Sequence, residues 1–243
     1  MDVVSEPGGP EPGGPEPGGA WVFLDAVNTL IEPVPDVATV YAEVAARHGS
    51  RRTAVEIDEE FEAAYAAATT NDRRCDEASE RAFWRSVVDR LVDDAADPDA
   101  MFKELFERFA RSEAWRAFED VPRNLAKLRA GGYRVAIASN FDARLRPVAA
   151  GLPAIADVET LIISTEVGWK KPADEFWQAA LTITGADPER SAAVGDSFHE
   201  DVRAPRRLGM KGLWLKRGER RRPAAVRTFD EAVERLVAPR PPG

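Results

Sequence analysis

From Trp21 to Leu24 the chain is uninterruptedly apolar, and the run ends in a carboxylate, Asp25, just before the turn-prone pair Asn28-Thr29. A strand buried on both faces reads as such a continuous run. An Asp at its carboxyl end falls where open α/β sheets bind ligands. Taken alone, a cap for the following turn is the simpler reading of Asp25, and only the downstream pattern changes it.

After this strand the apolar period switches to that of helices. Asp36 is an N-cap ahead of Val37, Val40, Tyr41, Val44 and Ala45, and this helix stops at His48-Gly49. A second helix runs near Ile57 to Ala68 with Phe61, Ala64 and Tyr65 on one face, and a third passes through Phe83, Trp84, Val87, Val88, Leu91 and Val92. Asp97-Pro98 opens a fourth, carrying Met101, Phe102, Leu105, Phe106 and Phe109. Between Asp36 and Arg111 no segment reads as a strand. The aromatic stripes of this helical block are expected to be its core rather than a binding site.

From Val121 the pattern alternates. A helix beginning at Val121-Pro122-Arg123 closes at Gly131-Gly132, and Tyr133 to Ala138 is a strand ending in Ser139-Asn140. Leu161 to Ile163 is a strand ending in Ser164-Thr165, and Pro172 is expected to open a helix with Phe176, Trp177, Ala180, Leu181 and Ile183 inward. Ser191 to Val194 is a strand ending in Gly195-Asp196. A short helix follows, then a strand over Gly212 to Leu215 and a last helix near Asp230 to Leu236. Strands alternating with helices predict an α/β, doubly wound parallel sheet. The all-helical block is then an insertion after its first strand. The expected divisions are 20–33 with 114–238 for the α/β core and 34–113 for the insertion. Residues 6–19 repeat Glu, Pro and Gly with nothing able to form a core, and residues 1–19 are expected to be a disordered tail.

Composition narrows the partners. A net charge of -9 over 243 residues argues against nucleic acid, and the basic run from Lys216 to Arg222 reads as a solvated loop. Cys75, the single cysteine, excludes an internal disulfide, and its polar surroundings do not mark it as a core thiol. His48 and His199 read as surface residues. No stretch approaches a membrane span and the N-terminus is not a signal peptide, so a soluble, cytoplasmic setting is expected.

In a right-handed parallel sheet the loops after the strands emerge at one edge, so Asp25, Ser139-Asn140, Lys171-Pro172, Gly195-Asp196 and Asp201 are expected to converge. A nucleophilic carboxylate, a hydroxyl donor, a lysine and two further acids are what phosphoryl transfer to a protein Asp requires. Mg²⁺ takes oxygen ligands from one or two carboxylates and keeps several waters.

Four ordered stretches resemble the motifs of the haloacid dehalogenase superfamily: Asp25 to Leu30, Ile137 to Asn140, Gly168-Trp169-Lys170-Lys171-Pro172, and Gly195-Asp196-Ser197 to Asp201. The helical insertion resembles the C1-type cap of that superfamily's subfamily I. The phrases Ser139 to Leu145 and Gly168 to Pro172 are closest to its domain-containing protein 3 branch. The resemblance covers about residues 21–237 and implies a hydrolase acting on a small phosphorylated molecule with Mg²⁺ as cofactor. It implies Asp25 as nucleophile and metal ligand, with the backbone carbonyl of Val27 and the carboxylates of Asp196 and Asp201 completing the metal set. Ser139 and the backbone around Asn140 would hold the phosphoryl group, and Lys171 would neutralise charge beside Asp25. For Asp201, one turn into a helix, an ordinary N-terminal acid is a competing reading. Lys170 is expected to face solvent, and Trp169 either lines the entrance or packs under the cap.

One position departs from the pattern. Where phosphatases of the superfamily carry a second Asp as general acid and base, this chain has Val27. A positioned acid contributes ~10²–10⁴-fold to such steps. Three readings remain open: a Mg²⁺-dependent phosphatase limited to good leaving groups or using an acid from the cap; a metal-independent 2-haloacid dehalogenase, against which Gly195-Asp196 argues; or a protein that binds a phosphorylated ligand or partner with little turnover.

Overall fold

The computed structural model describes residues 18–158, 160–218 and 224–238. Strand β1 (Trp21–Leu24) lies at the centre of a six-stranded sheet because its side chains are apolar in both directions. Val22 and Leu24 join one core cluster, while Trp21 and Phe23 join the cluster on the opposite face. The chain then forms a short strand β2 (Ile31–Pro33) and helices α1 (Val37–Arg47), α2 (Ala54–Ala68), α3 (Glu77–Leu91) and α4 (Pro98–Arg108). Asp36 caps α1 by accepting from the Thr39 amide at 2.9 Å, and Asp97 caps α4 from Ala100 at 2.9 Å. Strand β3 (Trp115–Ala117) returns antiparallel to β2, pairing Ile31 with Ala117 and Pro33 with Trp115. This two-stranded neck has no signature in the sequence, since three residues are too few to show a period.

Beyond the neck come α5 (Val121–Ala130), β4 (Arg134–Ser139), α6 (Leu145–Gly151), β5 (Thr160–Ile163), a one-turn α7 (Ser164–Val167) and α8 (Asp174–Thr184). Strand β6 (Ala192–Gly195) leads into a π-helical turn, Phe198–Arg203, and α9 (Ala204–Arg207), followed by β7 (Lys211–Leu215), β8 (Ala225–Val226) and α10 (Phe229–Val237). Every pairing in the large sheet is parallel, in the order β5-β4-β1-β6-β7-β8. The chain builds outward from β1 on one side, then crosses back to build on the other. The carboxyl end of β1 is thus the switch point, where a crevice opens between diverging connections. Helix α8 begins at Asp174 rather than at Pro172, and Ile183, expected inward, is 53% exposed.

Helices α1 to α4 pack on their own apolar cluster, with Tyr41, Val44, Ile57, Val88, Met101 and Leu105 buried in it. The helical unit is held down on the sheet's carboxyl edge. The Cys75 amide donates to the Gly168 carbonyl at 3.2 Å, and the Lys170 amide donates to Arg73 at 2.9 Å. Glu77 accepts from the Ala143 amide at 3.0 Å and from the Thr165 hydroxyl at 2.5 Å. These contacts overturn two expectations and decide between the two alternatives for a third residue. Cys75 is buried under the clasp, and Lys170 lies half-buried with its ammonium 5.7 Å from the Phe83 ring. Trp169 packs under the cap, with the Arg74 guanidinium 5.1 Å above its ring.

His48 is half-buried and bonds Glu104 at 2.8 Å, whereas His199 is exposed. Of the stretch expected to be a tail, residues 1–17 lie outside the described residues. Gly18 and Gly19 do not fit the expectation, because Gly18 donates to the Gly185 carbonyl at 3.0 Å and Gly19 bridges Ala186. No helix among the described residues is long and apolar enough to cross a membrane.

The start of the basic run is also not a solvated loop. Arg217 donates to both Asp120 oxygens at 2.8 and 2.9 Å and to the Thr29 carbonyl at 2.9 Å, tying the loop after β1 to the start of α5. Asp120 is buried, so removing Arg217 leaves its charge with the Phe229 amide, 3.1 Å away, and no counter-charge from Arg217. Arg217→Ala is expected to lower stability by about 2–3 kcal/mol, read as a lower denaturation midpoint at unchanged slope.

Candidate active site at the carboxyl edge of the sheet

Five sequence-distant side chains meet where β1, β4 and β6 end. Asp25 follows β1, Ser139 ends β4, Lys171 lies between α7 and α8, Asp196 follows β6, and Asp201 stands in the π-helical turn. The Lys171 ammonium is the hub. It donates to Asp25 at 2.8 Å, to Asp201 at 2.6 Å and to the Ala138 carbonyl at 2.9 Å, and is only 1% exposed. Burial by itself favours the neutral amine, but the charges of Asp201, Asp25 and Glu200 outweigh it and hold Lys171 protonated, above the ordinary lysine range. The Ser139 hydroxyl donates to the same Asp25 oxygen at 3.2 Å.

Local sequence explains these placements. Gly168 takes a left-handed φ of 80°, ending the one-turn α7 and turning the chain toward Lys171. Gly195 admits Asp201, since a Cβ there would lie 2.2 Å from the Asp201 carboxyl. Asp201 is therefore not an exposed helix-terminal acid. It is buried, salt-bridged to Lys171, and accepts from the Ser197 amide at 3.1 Å. Burial pushes its carboxyl up, against the opposing pull of Lys171.

Asn140 acts through its side chain as well as its position. Its carbonyl oxygen accepts from the Lys171 amide at 2.7 Å, and its amide nitrogen donates to the Lys171 carbonyl at 3.0 Å. The Lys171 peptide is thus gripped from both sides. Val27 lines the cavity above the site with its side chain half-buried, two residues beyond Asp25. Asp25, Asp196 and Asp201 each offer a carboxylate oxygen, and these atoms lie within 4.8 Å of one another. Such a set of hard oxygen donors suits a small divalent cation. Burial raises the Asp196 carboxyl, and the negative Asp25 adds to that, which is the strain a cation relieves.

Three contributors were not singled out in the sequence, although Asn28 and Glu200 fall inside the first and last of the four stretches. Glu200 lines the cavity and accepts from Asn140 at 3.2 Å, and burial pushes its carboxyl up to about 6. Lys216 stands 3.8 Å from Asp196. Asn28 adopts a left-handed φ of 61° in the loop after β1, a conformation Asn tolerates better than most residues.

The cavity over these groups has a volume of about 480 Å³, within the range of small-molecule sites. Phe61, Tyr65, Trp84, Phe102, Phe106 and Phe109 all face it. The aromatic stripes of the helical unit are therefore only partly core, contrary to expectation, and their inner edges roof the site.

Comparison with known proteins identifies the family and the fold. The sequence profile of the haloacid dehalogenase-like hydrolases matches residues 20–209. Human haloacid dehalogenase-like hydrolase domain-containing protein 3 is 28% identical over 194 residues, covering 76% of this chain and 77% of the relative. A phosphoserine phosphatase from Thermus thermophilus is 31% identical over 142 residues, 57% of this chain and 56% of its own length. Among solved structures, an L-2-haloacid dehalogenase superposes with a TM-score of 0.71 at 16% identity, covering 91% of this chain and 100% of that one. That likeness shows the shared fold.

Proposed function

The chain belongs to the haloacid dehalogenase-like hydrolases, and from that premise we propose that it is a Mg²⁺-dependent phosphatase working through an aspartyl-phosphate on Asp25. The observation that carries this reading is the meeting of Asp25, Ser139, Lys171, Asp196 and Asp201 at one sheet edge. An Asp25 oxygen attacks phosphorus, a new O–P bond forms, and the bond to the leaving oxygen breaks with its electron pair. Water then attacks phosphorus, freeing phosphate and restoring the carboxylate.

Ser139, already 3.2 Å from Asp25, donates to a phosphoryl oxygen, and the fixed ammonium of Lys171 offsets negative charge beside the nucleophile. Asn140 acts indirectly, by gripping the peptide from which Lys171 projects. Asp25, the Val27 carbonyl and Asp196 would hold the Mg²⁺, with Asp201 ligating or orienting it. The ion supplies positive charge that lowers the repulsion between carboxylate and phosphoryl oxygens.

The chamber weighs against the dehalogenase reading. A 2-haloacid carries a carboxylate that an unpaired cation would hold most strongly, and Arg144 is the one cationic residue lining the described chamber. Its Nε and Nη2 are paired to Asp142 at 2.8 and 2.7 Å, and its Nη1 donates to the Phe106 carbonyl at 3.2 Å. In solution, p-nitrophenyl phosphate is expected to be hydrolysed with Mg²⁺, to stop with EDTA and to recover when Mg²⁺ is restored. Chloride release from 2-chloropropionate without added metal would replace this reading with dehalogenation. No turnover of either, with Mg²⁺ still raising the melting temperature, would leave a binding protein.

A further inference from the structure

The walls of the chamber and the identity of residue 27 point to the same kind of substrate. Nine of the twenty-two residues lining the cavity are aromatic, and the remaining wall positions are aliphatic apart from Arg144. Carboxylates are confined to the floor, around Asp25, Asp196 and Glu200, and the walls carry hydroxyls on Tyr41 and Tyr65 alone. Arg144 brings no spare charge, because buried Asp142 neutralises it, and its guanidinium carbon lies 3.5 Å from the Phe106 ring centre. The Trp115 indole donates to the Phe109 carbonyl at 3.1 Å, and Trp84 bonds Glu80. The walls thus give little to a sugar hydroxyl, an ammonium or a second carboxylate, and each such group, once buried unpaired, weakens binding by roughly tenfold or more.

The walls do suit a flat ring. Phe109 and Trp115 meet edge to face at 5.8 Å, as do Trp115 and Phe141 at 5.9 Å. Tyr41 and Phe61 meet likewise at 6.3 Å. These mixed orientations present ring faces and edges, and aromatic guests extend such arrays more favourably than flexible alkyl chains do.

Val27 carries the independent argument. No acid stands at that position to protonate a departing oxygen. A phenol ionises near pKa ~10, whereas water ionises near ~16, so an aryloxide leaves with far less need of a proton than an alkoxide.

We propose that the substrate is a small, uncharged aryl phosphate monoester, with its ring among the aromatic walls and its phosphoryl group against Asp25. This rests on the phosphatase reading above. The O–P bond to Asp25 forms as the P–O(aryl) bond breaks; the aryl oxygen leaves with the electron pair and takes its proton from water. Water then hydrolyses the aspartyl-phosphate.

The test uses the full chain with Mg²⁺. (2-Naphthylmethyl)phosphonate is expected to bind about 100-fold tighter than methylphosphonate in calorimetry, from the apolar area of the ring alone, and to perturb tryptophan fluorescence. 2-Naphthyl phosphate is expected to exceed glycerol 3-phosphate and phosphoserine in kcat/KM by at least the same factor. If the two phosphonates bind alike while acetyl phosphate is turned over with Mg²⁺, the aryl assignment fails and the phosphatase stands. The same holds if phosphoserine is the better substrate. If the naphthyl phosphonate binds but no phosphate compound, acetyl phosphate included, is hydrolysed, the phosphatase reading fails and takes the substrate assignment with it.

Discussion

Asp25→Asn is expected to lower phosphatase turnover by roughly 10³-fold or more, because an amide oxygen is too weak a nucleophile to attack phosphorus. The substitution is nearly isosteric, so the loss is separable from unfolding. Lys171 keeps Asp201 at 2.6 Å and the Ala138 carbonyl at 2.9 Å. Removing the Asp25 charge also relieves its neighbours, since that charge contributes to raising the carboxyls of Asp196, Glu200 and Asp201. The variant should therefore melt at or slightly above the temperature of the unmodified protein without Mg²⁺. It should also gain less from added Mg²⁺, having lost one anionic ligand. Retained turnover in a purified, folded variant would remove Asp25 from the chemistry and, with it, the aspartyl-phosphate.

Val27→Asp is expected to raise the turnover of alkyl phosphates by about 10²-fold, the lower part of the range for a positioned acid, with a much smaller gain for p-nitrophenyl phosphate. The difference follows from the leaving groups, since only the alkoxide depends on a proton in the bond-breaking step. The position tolerates the change, because Val27 is half-buried on the cavity wall, at the edge of the apolar cluster rather than within it. Asp25, Asp196 and Glu200 lie around the same cavity, and their negative charge should raise the pKa of the new carboxyl, keeping part of it protonated and able to donate. An equal effect on alkyl and nitrophenyl esters, or none on either, would show that proton delivery does not limit this enzyme.

Much of the fold was legible in the residues because burial on a sheet and on a helix have different periods. The run Trp21 to Leu24, too short for a helix and apolar at every position, reads as a strand with two apolar faces, and its side chains divide between the two clusters flanking the sheet. Asp36 and Asp97 mark helix starts because a carboxylate satisfies amides that the helix leaves open. The order of Asp25, Ser139, Lys171 and Asp196 in or beyond the connections that follow the strands implied their meeting, as parallel strands deliver such loops to one edge.

What sequence periodicity cannot supply is the identity of the surface opposite a given face. Phe61, Trp84 and Phe106 repeat at helical spacing whether they fill a core or line a cavity, because both exclude water. Asp201 has the sequence setting of an ordinary helix-terminal acid until Lys171, 30 positions away, is seen 2.6 Å from it. Glu200 and the grip of Asn140 on the Lys171 peptide depend on distances between loops that no local pattern encodes. By itself the sequence determined which elements form and which chemical groups stand at their ends, since those follow from neighbours along the chain. Only the tertiary structure decided which acid is paired with Lys171 and which aromatic ring faces the site, because charge and hydration there are set by partners distant in sequence.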